Sequence, residues 1–86
     1  MNLDELRSKI NEIDENILAL FEERMHVSKQ IGLYKKEHNL PVLDQTREDA
    51  LLNLMKSKVK DQELINLYEV FLKHLMTLSK AYQNEI

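Results

Sequence analysis

From Leu3 to Tyr34 apolar side chains recur three or four positions apart, with a single gap of seven after Leu20, and no proline interrupts them: Leu3, Leu6, Ile10, Ile13, Ile17, Leu20, Val27, Ile31 and Tyr34. That period is the signature of a helix carrying one apolar stripe, and it predicts a single first helix reaching to about Glu37. Asn2 followed three positions later by Glu5 fits a capping box, and Asp4 and Glu5 suit the positive helix end. Gly32 is the one weak point; a lone glycine costs about 1 kcal/mol relative to alanine without ending a well-patterned helix. A helix of about 35 residues spans roughly 52 Å. A compact domain of this length has a radius of gyration of about 12 Å, hence a diameter of about 30 Å. The helix therefore overhangs anything its own chain can build. Its overhang is apolar, and a two-fold homodimer is the simplest cover.

The remaining chain reads as two shorter helices. Pro41 restricts Leu40 and cannot donate an amide, so the break falls at Asn39-Leu40-Pro41-Val42. Asp44 is the expected N-cap of a second helix, with Arg47 and Glu48 in its first turn and Leu51, Leu52, Leu54 and Met55 as its apolar members. After the lysine-rich stretch from Lys56 to Lys60, Asp61 is expected to cap a third helix. Its stripe reads Leu64, Leu67, Tyr68, Phe71, Leu72, Leu75, Met76 and Leu78. With one Gly and one Pro in 86 residues there are few places to turn. The fold class is all-α: three helices in one domain spanning residues 1–86.

Composition removes several classes of function. There is no Cys, hence no disulfide framework, thiolate nucleophile or zinc knuckle. No run approaches the roughly 20 apolar residues of a membrane span, and Met1-Asn2-Leu3-Asp4 is not a signal pattern, so a cytoplasmic protein is expected. The net charge of −3 and an aromatic content of 6% argue against nucleic-acid binding. His26, His38 and His74 form no ligand spacing and read as solvated or packing residues, with no metal site.

Two cations stand out against this pattern. The stripe member due after Leu20 is position 24, which is Arg24; Lys35 follows three turns later, roughly 16 Å along the axis and facing nearly the same way. A cation on an inward seam needs an anion, either a buried carboxylate of this chain or a bound ligand. On the third helix Leu72, Met76, Ser79 and Gln83 share one face. Ser79 and Gln83 either belong to a fraying terminal turn or point inward with their apolar neighbours. Arg47 and Glu48 could equally form a surface ion pair, worth under about 1 kcal/mol. Arg7 lies off the main stripe, where exposure is the ordinary expectation.

Taken together, Arg7, Arg24, Lys35, Asp44, Arg47, Glu48, Ser79 and Gln83 form an ordered series that resembles the all-helical class of chorismate mutases. The resemblance runs from Leu3-Asp4-Glu5-Leu6-Arg7 through Glu23-Arg24, Ile31-Gly32-Leu33-Tyr34-Lys35 and Pro41-Val42-Leu43-Asp44-Gln45-Thr46-Arg47-Glu48 to Ser79-Lys80-Ala81-Tyr82-Gln83. It implies an intertwined homodimer of three-helix chains with two equivalent sites. It implies the Claisen rearrangement of chorismate to prephenate, a pericyclic reaction needing no nucleophile, metal or cofactor. By the same resemblance Arg7 and Arg24 would hold the substrate carboxylates, supported by Arg47 and Ser79. Lys35 and Gln83 would donate to the ether oxygen, and Asp44 and Glu48 would engage the ring-hydroxyl side. Arg7 and Arg24 are seventeen positions apart, about 25 Å on one straight helix and pointing roughly 100° apart. Arg7 is therefore expected to reach a site across the dimer.

Two rival readings remain open at this level. A similar scaffold serves isochorismate-pyruvate lyases, which keep the Arg and Lys positions but lack the acidic pair and the Ser; Asp44, Glu48 and Ser79 favour the mutase. A non-catalytic helical dimerisation module would explain the stripe and the overhang, but not Arg24 within the stripe or Gln83 one turn after Ser79. The sequence leaves open whether the chain acts alone or docks onto another enzyme of the pathway.

Overall fold

Asn2 starts the first helix as its pattern predicts: its Oδ1 accepts the Glu5 backbone N–H at 2.9 Å, and α1 runs Leu3–Glu37. The computed structural model describes all residues, 1–86. Helix α1 ends before Pro41 can act, by a left-handed residue. Asn39 takes φ 55°, which lets the Leu40 N–H reach the Lys35 carbonyl at 2.8 Å and the Asn39 N–H reach that of Lys36 at 3.4 Å. These two bonds close a Schellman-type cap, and Pro41 then prevents the chain from resuming the helix.

Asp44 caps α2 (Gln45–Ser57), its Oδ1 accepting the Arg47 backbone N–H at 3.0 Å. The third element departs slightly from expectation. Asp61 caps a 3-10 turn, Gln62–Leu64, by accepting the Glu63 N–H at 3.0 Å, and α3 proper is Ile65–Asn84. Leu64 thus sits in the tighter lead-in turn, a common way to enter a helix.

Helix α3 is the centre of the arrangement, packed on α1 along one side and on α2 along another. A Lys56 to Glu69 ion pair of 3.0 Å ties α2 to α3. The molecule measures 54 × 25 × 15 Å, with a radius of gyration of 16.0 Å. The long dimension is that of α1, and the radius exceeds the roughly 12 Å of a compact chain of this size.

The face that α1 offers α3 is not its apolar stripe. Only five residues of the chain are buried: Ser28 and Gly32 on α1, and Leu72, Met76 and Ser79 on α3. Ser28 meets Ser79 and Gln83, and Gly32 lies against Gln83 and Ile86. Small residues let the two backbones come close. A Cβ placed on Gly32 would lie 3.0 Å from Gln83 Cγ, so this glycine is there for approach. The stripe itself stays open along its length, with Ile10 59%, Ile13 55% and Leu20 64% exposed. No helix is long and apolar enough to cross a membrane.

Candidate active site

Two hollows lie on α3, and they differ in chemistry. The larger, about 660 Å³, is a trough lined by Ile17, Leu20, Phe21, Phe71 and Leu78, with Asp14, Arg24 and His74 as its polar members. It continues the exposed stripe and offers little to orient a polar ligand. The smaller, about 330 Å³, is where the three helices converge, and it collects Arg24, Lys35, Asp44, Arg47, Glu48, Ser79 and Gln83. Seven of the eight site residues expected from sequence therefore line one cleft of ligand size. The eighth, Arg7, lies on the exposed first turns of α1, about 25 Å from Arg24 along the helix axis. Within one chain it is not brought to the cleft.

Arg24 reaches the cleft floor from α1. Its Nη1 donates to the Leu75 carbonyl at 3.3 Å and to Ser79 Oγ. Burial holds its pKa below the ordinary value; Tyr68 acts in the opposite sense, and the neighbouring Arg47 adds to the lowering. A guanidinium stays protonated regardless, so the environment makes it a stronger seeker of anions rather than a neutral group. No carboxylate of the chain answers it. The only ion pairs are Lys56 to Glu69 and Lys80 to Glu48. The internal-carboxylate alternative for Arg24 is thereby removed.

Lys35 comes from the same helix, near its C-terminal end. Its Nζ donates to the Val42 carbonyl at 2.7 Å, the segment after Pro41 having folded back beside the end of α1. A neutral acceptor uses one of the three ammonium donors and leaves the charge uncompensated. Arg47 stands exposed at the rim. Its backbone, not its guanidinium, is what Asp44 holds. Glu48 does not pair with Arg47; it receives Lys80 at 3.2 Å from α3.

Ser79 is buried, and Gln83 is half-buried with its Nε2 donating to Ser28 Oγ at 2.9 Å. Both point inward, so the frayed-turn alternative does not hold. The Gln83 Oε1 is buried without a hydrogen-bond partner. Four cations and two carboxylates face the cleft, and only one carboxylate is spent on one cation. The balance suits a small ligand of multiple negative charge.

Sequence reasoning overlooked three contributors. Ser28 lies one turn beyond Arg24 on the same face, a spacing that could have revealed it. Lys80, next to Ser79, has no spacing that distinguishes it from the other charges of α3, and only its pairing with Glu48 brings it to the cleft. Val42 acts through its backbone carbonyl, for which no side-chain signal exists.

Residues 6–84 match the family model described as chorismate mutase type II. A chorismate mutase of Methanocaldococcus jannaschii is 33% identical over 88 residues, covering 96% of this chain and 89% of that protein. The T-protein of Haemophilus influenzae is 31% identical, and the chain spans 22% of its length. The bifunctional chorismate mutase/prephenate dehydratase of Aquifex aeolicus is 37% identical, and the chain spans 24% of it. Among solved structures, a conserved hypothetical protein from Pyrococcus furiosus superposes with a TM-score of 0.73 at 31% identity, covering 94% of this chain and 93% of that one.

Proposed function

The chain belongs to the type II chorismate mutase family, and from that premise we propose that it isomerises chorismate to prephenate in aromatic amino-acid biosynthesis through the three-helix cleft. One observation carries the assignment of the site. Arg24, Lys35 and Arg47 converge on one cleft with no carboxylate of the chain paired to their charges. Chorismate brings two carboxylates to it.

The reaction breaks an ether C–O bond while a C–C bond forms, with no proton transferred and no covalent adduct. Rate then comes from holding the compact conformer and from donors aimed at the oxygen where charge grows. Arg24, backed by Ser79 and Arg47, binds carboxylate. Lys35 from one wall and Gln83 from the other donate to the ether oxygen, each donor worth about 3 to 4 kcal/mol in a water-excluded site. Asp44 and Glu48 take the ring-hydroxyl side, with Lys80 holding Glu48 in place. No cofactor enters these steps.

The catalytic unit is an intertwined cytoplasmic homodimer, each chain one domain, in which Arg7 of one chain completes the site of the other. Support comes from the open apolar stripe of α1 and the trough that continues it, and from the distance that keeps Arg7 from its own cleft. Incubating the pure protein with chorismate and following loss of its absorbance tests the reading, with isochorismate as the comparison. Conversion of isochorismate alone would replace the mutase by a lyase. Turnover of neither would leave a dimerisation module.

A further inference from the structure

Gln83 has one polar end engaged and the other stranded. Its Nε2 donates to Ser28 Oγ at 2.9 Å, while its Oε1 is buried with no partner. The Ser28 hydroxyl in turn has only a long contact, 3.4 Å, to the Ser79 carbonyl on which to place its proton. Ser28 is 4% exposed, so water does not compete for that hydroxyl. A terminal amide has two ends of nearly equal shape, and a half-turn about its last bond exchanges them without moving a neighbour. After that half-turn Ser28 Oγ–H donates to Oε1, the stranded oxygen is satisfied, and the NH2 group becomes the free end. A buried acceptor without a donor is unfavourable, so the half-turn is favoured whenever the cleft supplies an acceptor for the NH2.

We infer that Ser28 is a positioning residue: its hydroxyl donates to Gln83 Oε1 when a ligand oxygen occupies the cleft, and so turns the Gln83 NH2 toward that oxygen. This rests on the reading that Gln83 donates to the ether oxygen of the substrate. Ser28 itself touches no reacting atom. Its place on α1, one turn from Arg24 and one turn from Gly32, puts the hydroxyl within reach of Gln83 Nε2 and the Ser79 carbonyl on α3. Without it, either end of the amide meets the ligand, and an Oε1 facing an ether oxygen repels it.

Ser28→Ala, Gln83→Ala and the double variant, assayed with chorismate beside wild type, test this. Ser28→Ala preserves helix propensity, and the melting temperature of each variant checks its fold. Ser28→Ala is expected to lower kcat roughly tenfold with KM changed less than about twofold, because the lost contact matters at the oxygen where charge develops. In the Gln83→Ala background the same change is expected to alter kcat less than about twofold, since no amide is left to orient. Ser28→Thr, which keeps a hydroxyl, is expected to recover most of the lost kcat. An equal loss in both backgrounds would mean that Ser28 supports packing only, and would overturn the inference. So would an unchanged kcat in Ser28→Ala while Gln83→Ala is impaired. If Gln83→Ala itself keeps full kcat, the role assigned to Gln83 fails and the inference falls with it. That outcome is distinguishable from a failure of Ser28 alone.

Discussion

Gln83 of α3 rests directly on Gly32 of α1: a Cβ at position 32 would lie 3.0 Å from Gln83 Cγ and 3.2 Å from its Cβ. Gly32→Ala sets two effects against each other. Alanine favours the helix by about 1 kcal/mol, while the new methyl must push the Gln83 side chain aside. The stability effects nearly offset, so the melting temperature is expected to stay within a few degrees. Activity has no such compensation, because a displaced donor is a lost donor. A kcat at the wild-type level in a folded Gly32→Ala protein would show that Gln83 needs no such seat.

Lys35→Ala is expected to be the most damaging single truncation. Lys35 is the one cation assigned to the ether oxygen, where charge appears in the transition state and not in the ground state. Loss of such a donor costs kcat about 10²- to 10³-fold, with a smaller effect on KM. Truncation of Arg24 should damage both, since a carboxylate is bound in both states. Steady-state kinetics decide it: a raised KM with unchanged kcat for Lys35→Ala would reassign Lys35 to substrate binding.

Gln83→Glu should make activity depend on acid. An amide donates at any working pH, whereas a carboxylic acid donates only while protonated, and its ordinary pKa is about 4.3. Activity of the variant is thus expected to rise as pH falls from 8 to 5, against a broad wild-type profile. Equal rates for the variant at both pH values would remove Gln83 from the ether oxygen.

Asp44 has two duties that substitution can separate. Its Oδ1 caps α2 through the Arg47 N–H, and its side chain lines the cleft. Asp44→Ala should lose about 1 kcal/mol of stability with the cap as well as activity. Asp44→Asn keeps a capping oxygen, so it should keep the melting temperature while still losing the charge that the substrate hydroxyl side meets. If Asp44→Asn is fully active, capping is the whole of its role.

Complementation tests the placement of Arg7. Arg7→Ala and Lys35→Ala homodimers should each be nearly inactive. In a mixed dimer one of the two sites lacks both residues and the other lacks neither. Random re-pairing makes about half the dimers mixed, so about a quarter of wild-type activity should return on co-refolding. No recovery, with subunit exchange confirmed by mass, would place the whole site within one chain.

Much of this molecule was legible in its sequence because the signals are local. Helix α1, the Asn2 and Asp44 caps and the break after Glu37 depend on residues within a few positions of one another, where period and capping chemistry act. The candidate site was not local in this sense: its residues run from Arg24 to Gln83, Ser79 and Gln83 taken alone could equally have been a fraying turn, and resemblance to a family was what grouped them. What the sequence could not decide was which face of α1 meets α3. The apolar stripe promised the inward face, yet within the chain that place goes to Ser28 and Gly32, whose smallness allows close approach. Nor could it show that Arg24 is met by a carbonyl and a hydroxyl, that Lys35 leans on the Val42 carbonyl, or that Glu48 takes Lys80 and not Arg47. Those pairings join residues far apart in the chain or act through backbone atoms. Helix period fixes the direction of a side chain, but only the packing of one helix on another fixes what it meets.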